Sequence, residues 1–241
     1  MKYAGIACGV LCMLLNVAVD VHAEPRCTVQ SKEKVYRLDL SVPATFCKQP
    51  INKRDPSCNI LPKASVLQLH GLWPNYTSRD YLEGECNPES ECQTQAQEKG
   101  KYCKYPEPAG LYASDAWKTL AEGYMAGKEK CLERHEWVKH GTCTEMTPPE
   151  YFGWALGKAK EISDKLALAL DKEMSRVEFN QRVKEKLPEL NGAIHLGCDG
   201  NLVSKLYVIY EWGKEPGAPI KTKGGKNAMG NCGNSFTFPS K

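Results

Sequence analysis

The chain predicts an α+β domain tied together by disulfides. Near both ends apolar residues alternate with polar ones, the period of a strand. Between about 114 and 187 they recur every three to four residues, the period of a helix. Cysteine is abundant, 12 in 241 residues, which suits an oxidising compartment. Hydrophobic residues at 41% and charged residues at 25% exclude a long disordered chain, and 20 Gly and 15 Pro scattered without period exclude a fibre. The formal net charge is only +3, so any nucleic-acid partner must be held by local contacts.

The elements follow in chain order. Residues 1–23 read as a secretory leader: Lys2, an apolar run from Gly5 to Val19 broken only by Asn16, then Val21-His22-Ala23 with small residues two apart. The run is about 15 residues, short of the roughly 20 that span a bilayer. Cleavage after Ala23 is expected, leaving one mature domain, 24–241, with no repeats and no Pro/Ser linker. Cys8 and Cys12 leave with the leader. Cys27, Cys47, Cys58, Cys86, Cys92, Cys103, Cys131, Cys143, Cys198 and Cys232 remain, an even set that predicts five bridges. No Cys-x-x-Cys occurs, which argues against a structural zinc site.

Val35–Val42 is a strand. In Val66–His70, Leu67 and Leu69 face one way and Gln68 and His70 the other, so His70 ends a strand on the face opposite the leucines. Residues 77–110, rich in Asn, Gln, Glu, Pro and Cys, form a disulfide-tied loop region. Ser114 caps a helix with Trp117, Leu120, Ala121, Tyr124 and Met125 along one side. Glu129–His140 is a second helix, stopped by a left-handed Gly141. Pro148-Pro149 opens a third, with Tyr151, Phe152, Ala155, Leu156, Ala159 and Ile162 as its stripe. Ser175-Arg-Val-Glu178 has capping-box form and opens a fourth, ended before Pro188. After Ile194 the period returns to two: Leu206, Val208, Tyr210 and Trp212 alternate with Lys205, Tyr207, Ile209 and Glu211. Asn234–Phe238 is a last strand.

Two segments concentrate chemistry: His70-Gly-Leu-Trp-Pro74, and Cys131 to Cys143, which contains His135, Glu136, Lys139 and His140. On a helix at about 100° per residue, with His135 at 0°, Lys139 falls near 40°, Glu136 near 100° and His140 near 140°. One face then carries two imidazoles, an ammonium and a carboxylate, while Trp137 and Val138 anchor the other. A solvated charged face accounts for Lys and Glu, but poorly for two histidines. A zinc hydrolase needs its second histidine four positions after the first; the spacing here is five, which counts against a metal. Phosphoryl transfer within RNA fits the set. Its 2′-hydroxyl is an internal nucleophile, so the protein supplies only a neutral histidine as base, a protonated histidine as acid and cations for the phosphorane oxygens.

His70-Gly-Leu-Trp-Pro74 and His135-Glu-Trp-Val-Lys-His-Gly-Thr-Cys143 resemble the two active-site signatures of the ribonuclease T2 family, nearest to its bacterial members. Leu38 to Cys47, Pro149-Glu-Tyr-Phe152 and Gly230-Asn-Cys-Gly233 extend the likeness over most of residues 35–238. The resemblance implies an α+β fold with an antiparallel sheet flanked by helices. It implies His140 as general base, His70 as general acid, His135 on the phosphate, Glu136 and Lys139 on the transition state, and Trp73 with Tyr81 stacking on a base. It implies bridges Cys47–Cys58, Cys198–Cys232, Cys86–Cys143 and Cys103–Cys131, leaving Cys27 with Cys92. Asn75 replaces the Asp common after Trp-Pro, and Val42-Pro43 replaces a common Trp-Gln, so base preference stays open and low base specificity is expected.

Other residues read as structural: His195 in a strand beside Leu196, and Lys214, Lys221, Lys223 and Lys226 in a solvated basic loop. The sequon Asn75-Tyr-Thr77 abuts the first signature and is taken as unoccupied. The expected protein is an exported, secreted or periplasmic monomeric endoribonuclease. It acts on single-stranded RNA, with no DNA partner, no membrane after leader removal, and no cofactor or metal. The alternatives are a fold-retaining RNA-binding or toxin-like module and, behind it, a zinc hydrolase.

Overall fold

Five strands and a branch strand form one sheet in the computed structural model, which describes residues 34–60, 65–76, 102–222 and 230–240. The leader, Tyr81, Cys27, Cys86, Cys92, Lys223 and Lys226 lie outside the described residues. Among the described residues the strands are β1 (Lys34–Ser41), β2 (Gln68–Tyr76), β3 (Glu173–Ser175), β4 (Ile194–Asp199), β5 (Leu202–Glu211) and β6 (Ser235–Thr237). The helices are α1 (Pro43–Lys48), α2 (Asp115–Tyr124), α3 (Leu132–Lys139), α4 (Pro148–Leu166) and α5 (Arg176–Lys186). β1 pairs antiparallel with β2 and with β5, β4 lies antiparallel on β5, and β3 on β6. The expected antiparallel sheet has one exception: β6 joins β5 in parallel, through Leu202 and Thr237.

Alternation decides which face is which. Tyr36, Leu38 and Leu40 of β1 pair with Tyr210, Val208 and Leu206 of β5, and all six point into the main core. The stripe Tyr151, Phe152, Ala155, Leu156, Ala159 and Ile162 of α4 covers them, with Ala121 of α2 and Phe179 and Val183 of α5. Helix ends follow their caps. Ser114 accepts the Trp117 N–H to start α2, Thr147 and Glu150 form a capping box for α4, and Ser175 accepts the Glu178 N–H to start α5.

Three sequence expectations change. β2 does not end at His70 but runs to Tyr76, through Pro74, which is tolerated because β2 is an edge strand. The second helix starts at Leu132, after a 3₁₀ turn at Lys128–Lys130 and a left-handed Cys131. It ends at Lys139, so His140 is outside it, and Gly141 begins another 3₁₀ turn and is not a left-handed stop. Cys47–Cys58, Cys103–Cys131 and Cys198–Cys232 are formed as expected. Cys143 is disulfide-bonded to a partner outside the described residues.

Candidate active site

The site lies where β2 meets α3, and a break in sheet register places its first histidine. Asp39 pairs with Gly71, but Leu40 pairs with Leu69, so His70 is the extra residue of a bulge in β2. A bulge turns two successive residues to one face. Leu69 stays in the core, and His70 is carried to the opposite face with Gly71 and Trp73. Gly71 is required there: a Cβ would meet Glu136 Oε2 at 2.1 Å and Trp73 Nε1 at 2.3 Å. On the core side, Tyr151 of α4 clamps the same strand, donating to Leu72 O and accepting from Leu72 N.

α3 is held from its amino end. Cys131 is bridged to Cys103, and the Arg134 guanidinium donates to Cys103 O, Tyr105 O and Glu107. These contacts bring the 102–104 turn onto the site, where the Tyr102 ring stacks on His135 at 4.4 Å. The sequence reading did not single out Tyr102; its only signal is adjacency to a bridged cysteine. Val138 and Trp137 anchor the apolar side, Trp137 edge-on to Tyr151.

Glu136 is the centre of the group. It is 1% exposed. Its Oε2 accepts from Trp73 Nε1 at 2.7 Å and lies 3.7 Å from His140 Nε2, while Oε1 lies 3.7 Å from His70 Nε2. Two imidazoles thus turn the same nitrogen toward one carboxylate. Trp73 lies between them, 5.1 Å from the His70 ring and 5.3 Å from the His140 ring. His135 is 6.4 Å from His140, ring to ring. Lys139 adds positive charge that acts on both. His70, Trp73, His135, Glu136, Lys139 and His140, the residues expected from the two signatures, converge; Tyr81 lies outside the described residues. His195 does not join them; it is buried and stacked on Tyr207 at 4.6 Å.

Desolvation and neighbouring positive charge hold all three imidazoles below the ordinary histidine value, with His140 buried and the His70 ring 42% exposed. Desolvation leads in each case. His135 falls to about 4, with Lys139 and His70 adding to the effect. His140 falls well below 6.5, helped by His135, His70 and Lys139. His70 is lowered by desolvation and raised in part by Asp39, while Arg37, Lys205 and Lys130 push it down.

One atom each from His135, Glu136 and His140 lies within 4.8 Å of the others, close enough to share a cation. The helical wheel separated the two histidines by about 140°, but His140 is placed by the turn after α3 and not by the helix. The five-residue spacing therefore does not count against a metal, contrary to the helical-wheel expectation.

Comparison with known proteins fits this geometry. A model of the Ribonuclease T2 family matches residues 33–206. Ribonuclease I of Escherichia coli (strain K12) is 30% identical over 189 residues, 69% of this chain and 70% of that protein. Ribonuclease 1 of Arabidopsis thaliana is 28% identical over 187 residues, 73% of this chain and 74% of that protein. Among solved structures, RNase NT in complex with 5′-AMP has a TM-score of 0.55 at 18% identity, covering 87% of this chain and 99% of its own. Trichomaglin, described as an S-like ribonuclease, has a TM-score of 0.54 at 15% identity over 87% of this chain and 98% of its own. At those identities the two structures establish the shared fold alone. The chain belongs to the ribonuclease T2 family and is an endoribonuclease.

Proposed function

We propose that this endoribonuclease cleaves single-stranded RNA by internal transphosphorylation, with low base specificity. The observation that carries the reading is the placement of His70 Nε2 and His140 Nε2, each 3.7 Å from an oxygen of the buried Glu136. His140, kept neutral by burial, takes the proton of the 2′-hydroxyl. The 2′-oxygen bonds to phosphorus, the P–O5′ bond breaks, and His70 gives its proton to the departing 5′-oxygen. His135 holds the phosphate, Lys139 offsets the negative charge on the phosphorane, and Glu136 offsets the positive charge that His140 gains in the transition state. A 2′,3′-cyclic phosphate results, and slower hydrolysis with the two roles reversed yields a 3′-phosphate. Trp73, its indole nitrogen already tied to Glu136, and Tyr81 are the base-stacking residues. The leader and the bridged cysteines support export of a single mature domain, 24–241, to the periplasm or medium, working as a monomer. No helix among the described residues is long and apolar enough to cross a membrane.

The proximity of donors on His135, Glu136 and His140 supports a second reading, in which a bound divalent cation supplies the charge stabilisation. One digestion separates the two. A defined oligoribonucleotide carrying a single 2′-deoxy position is incubated with the protein in EDTA, and products are identified by mass. The proposal expects cyclic phosphates at every cleavable position except the deoxy one. Loss of activity in EDTA, restored by a divalent metal, supports the second reading, and cleavage at the deoxy position rules out both the internal nucleophile and the histidine scheme built on it.

A further inference from the structure

The sheet face that carries His70 also buries an ion pair that the histidine scheme leaves unused. Strand alternation puts Arg37 and Asp39 of β1 on that face, opposite Trp73 and Gly71 of β2. Arg37 is 3% exposed and Asp39 1%. A buried pair of this kind is weak support for stability, because desolvation of two charges offsets most of their attraction and an apolar pair serves as well. Its geometry points elsewhere. Arg37 Nη2 donates to Asp39 Oδ2 at 2.5 Å, and the other oxygen, Oδ1, lies 3.8 Å from His70 Nδ1. Arg37 is itself fixed between rings, its guanidinium 5.0 Å from the Trp73 ring and 4.1 Å from that of Tyr207. Tyr207 is in turn stacked on the buried His195.

We propose that the Arg37–Asp39 pair is a positioning device for His70: Asp39 holds the Nδ1 side of the ring, which leaves Nε2 turned to Glu136, and Arg37 fixes where Asp39 points and how strongly it acts. The device rests on the reading of His70 as a proton-transfer residue. The charged neighbours of His70 among the described residues enter it. Asp39 and Arg37 act on the ring from β1, Glu136 and His135 from α3, His140 from the turn after it, Lys205 from β5 and Lys130, its ammonium paired with Asp55, from the turn before α3. Asp39 raises the proton affinity of His70 from the Nδ1 side, against Arg37, Lys205 and Lys130. An acid needs its proton, so Asp39 sustains the protonated form that the leaving group uses.

The test is an NMR titration of His70 in protein with labelled histidine, which reads the ring whether or not the protein is active. In Asp39→Asn the His70 pKa is expected to fall by about half a unit or more, and in Arg37→Gln to rise by a similar amount, while Arg37→Lys stays near the parent. The basic limb of kcat/KM follows in the same two directions. In the unaltered protein the neutral His70 is expected as the Nδ1–H tautomer, its proton toward Asp39. Folded variants that leave the His70 pKa unmoved, or move it the same way for both lost charges, overturn the device. A neutral Nε2–H tautomer in the unaltered protein does so without any variant. Full activity of His70→Ala instead removes the proton-transfer reading, while the titration still reports on the pair.

Discussion

Glu136 is a carboxylate with almost no contact with water, and three groups around it account for its place: an indole N–H at 2.7 Å and two imidazole nitrogens at 3.7 Å. Glu136→Gln keeps the shape and removes the charge, so kcat is expected to drop while the thermal transition stays close to the parent. Lys139→Ala should also lower kcat; a change in KM alone would place Lys139 on the ground state. His70→Ala and His140→Ala should each cost about 10²–10⁴-fold in kcat/KM, with a double variant far from additive, since each group acts only when the other does. Measured in one buffer series, these four variants separate proton transfer from charge balance. The shifted imidazoles also set the pH profile. With the proposed base, His140, and the proposed acid, His70, both held below the ordinary histidine value, the bell-shaped kcat/KM curve is expected to peak on the acid side. An optimum above neutrality would contradict the assignment. These residues were legible because histidine is scarce and the signatures are short. Asp39 and Arg37 were not read, since charges in a strand suggest a solvated face, and only the structure shows that face to be covered.

At the scale of elements, the helices were legible and the joints between them were not. α4 and α5 begin where their Thr147 and Ser175 caps lie. Ser114→Ala, which removes the α2 cap, should cost about 1 kcal/mol in denaturant unfolding without touching kcat. His140 escaped the helical wheel because α3 stops at Lys139 and Gly141 packs under the Trp137 ring, where a Cβ would sit 2.1 Å from a ring carbon. The β2 bulge was equally hidden, since simple alternation from Leu67 to His70 gives no sign of a register break at Asp39 and Leu40. That break predicts a sharp result for Gly71→Ala. The added methyl must displace Glu136 or Trp73, so activity should fall by at least tenfold, more than the stability change explains. A Gly71→Ala protein with parental kcat would show that Glu136 need not touch β2.

For the whole molecule, the order of strand, helix and strand periods was enough to give an α+β sheet, and the cysteine count was enough to give a cross-linked one. The parallel joint between β5 and β6 was not legible, because a single residue pair leaves no pattern in the sequence. Gathering three imidazoles whose folded pKa values are depressed has a cost in acid. Above the unfolded value near 6.5 nothing is lost. As pH falls from there toward about 4, where His135 titrates in the fold, the unfolded chain binds more protons and stability declines. The thermal transition should therefore fall across that window, and less steeply in His135→Asn. The central claim is narrower: that His70 gives a proton to the leaving oxygen while His140 takes one from the 2′-hydroxyl. It is tested most directly with a uridine 3′-aryl phosphate, whose nitrophenolate departs without needing a proton. On this substrate His70→Ala should recover most of the activity it loses on RNA, and His140→Ala should recover none. Equal losses for His70→Ala on both substrates would contradict the assignment of the acid.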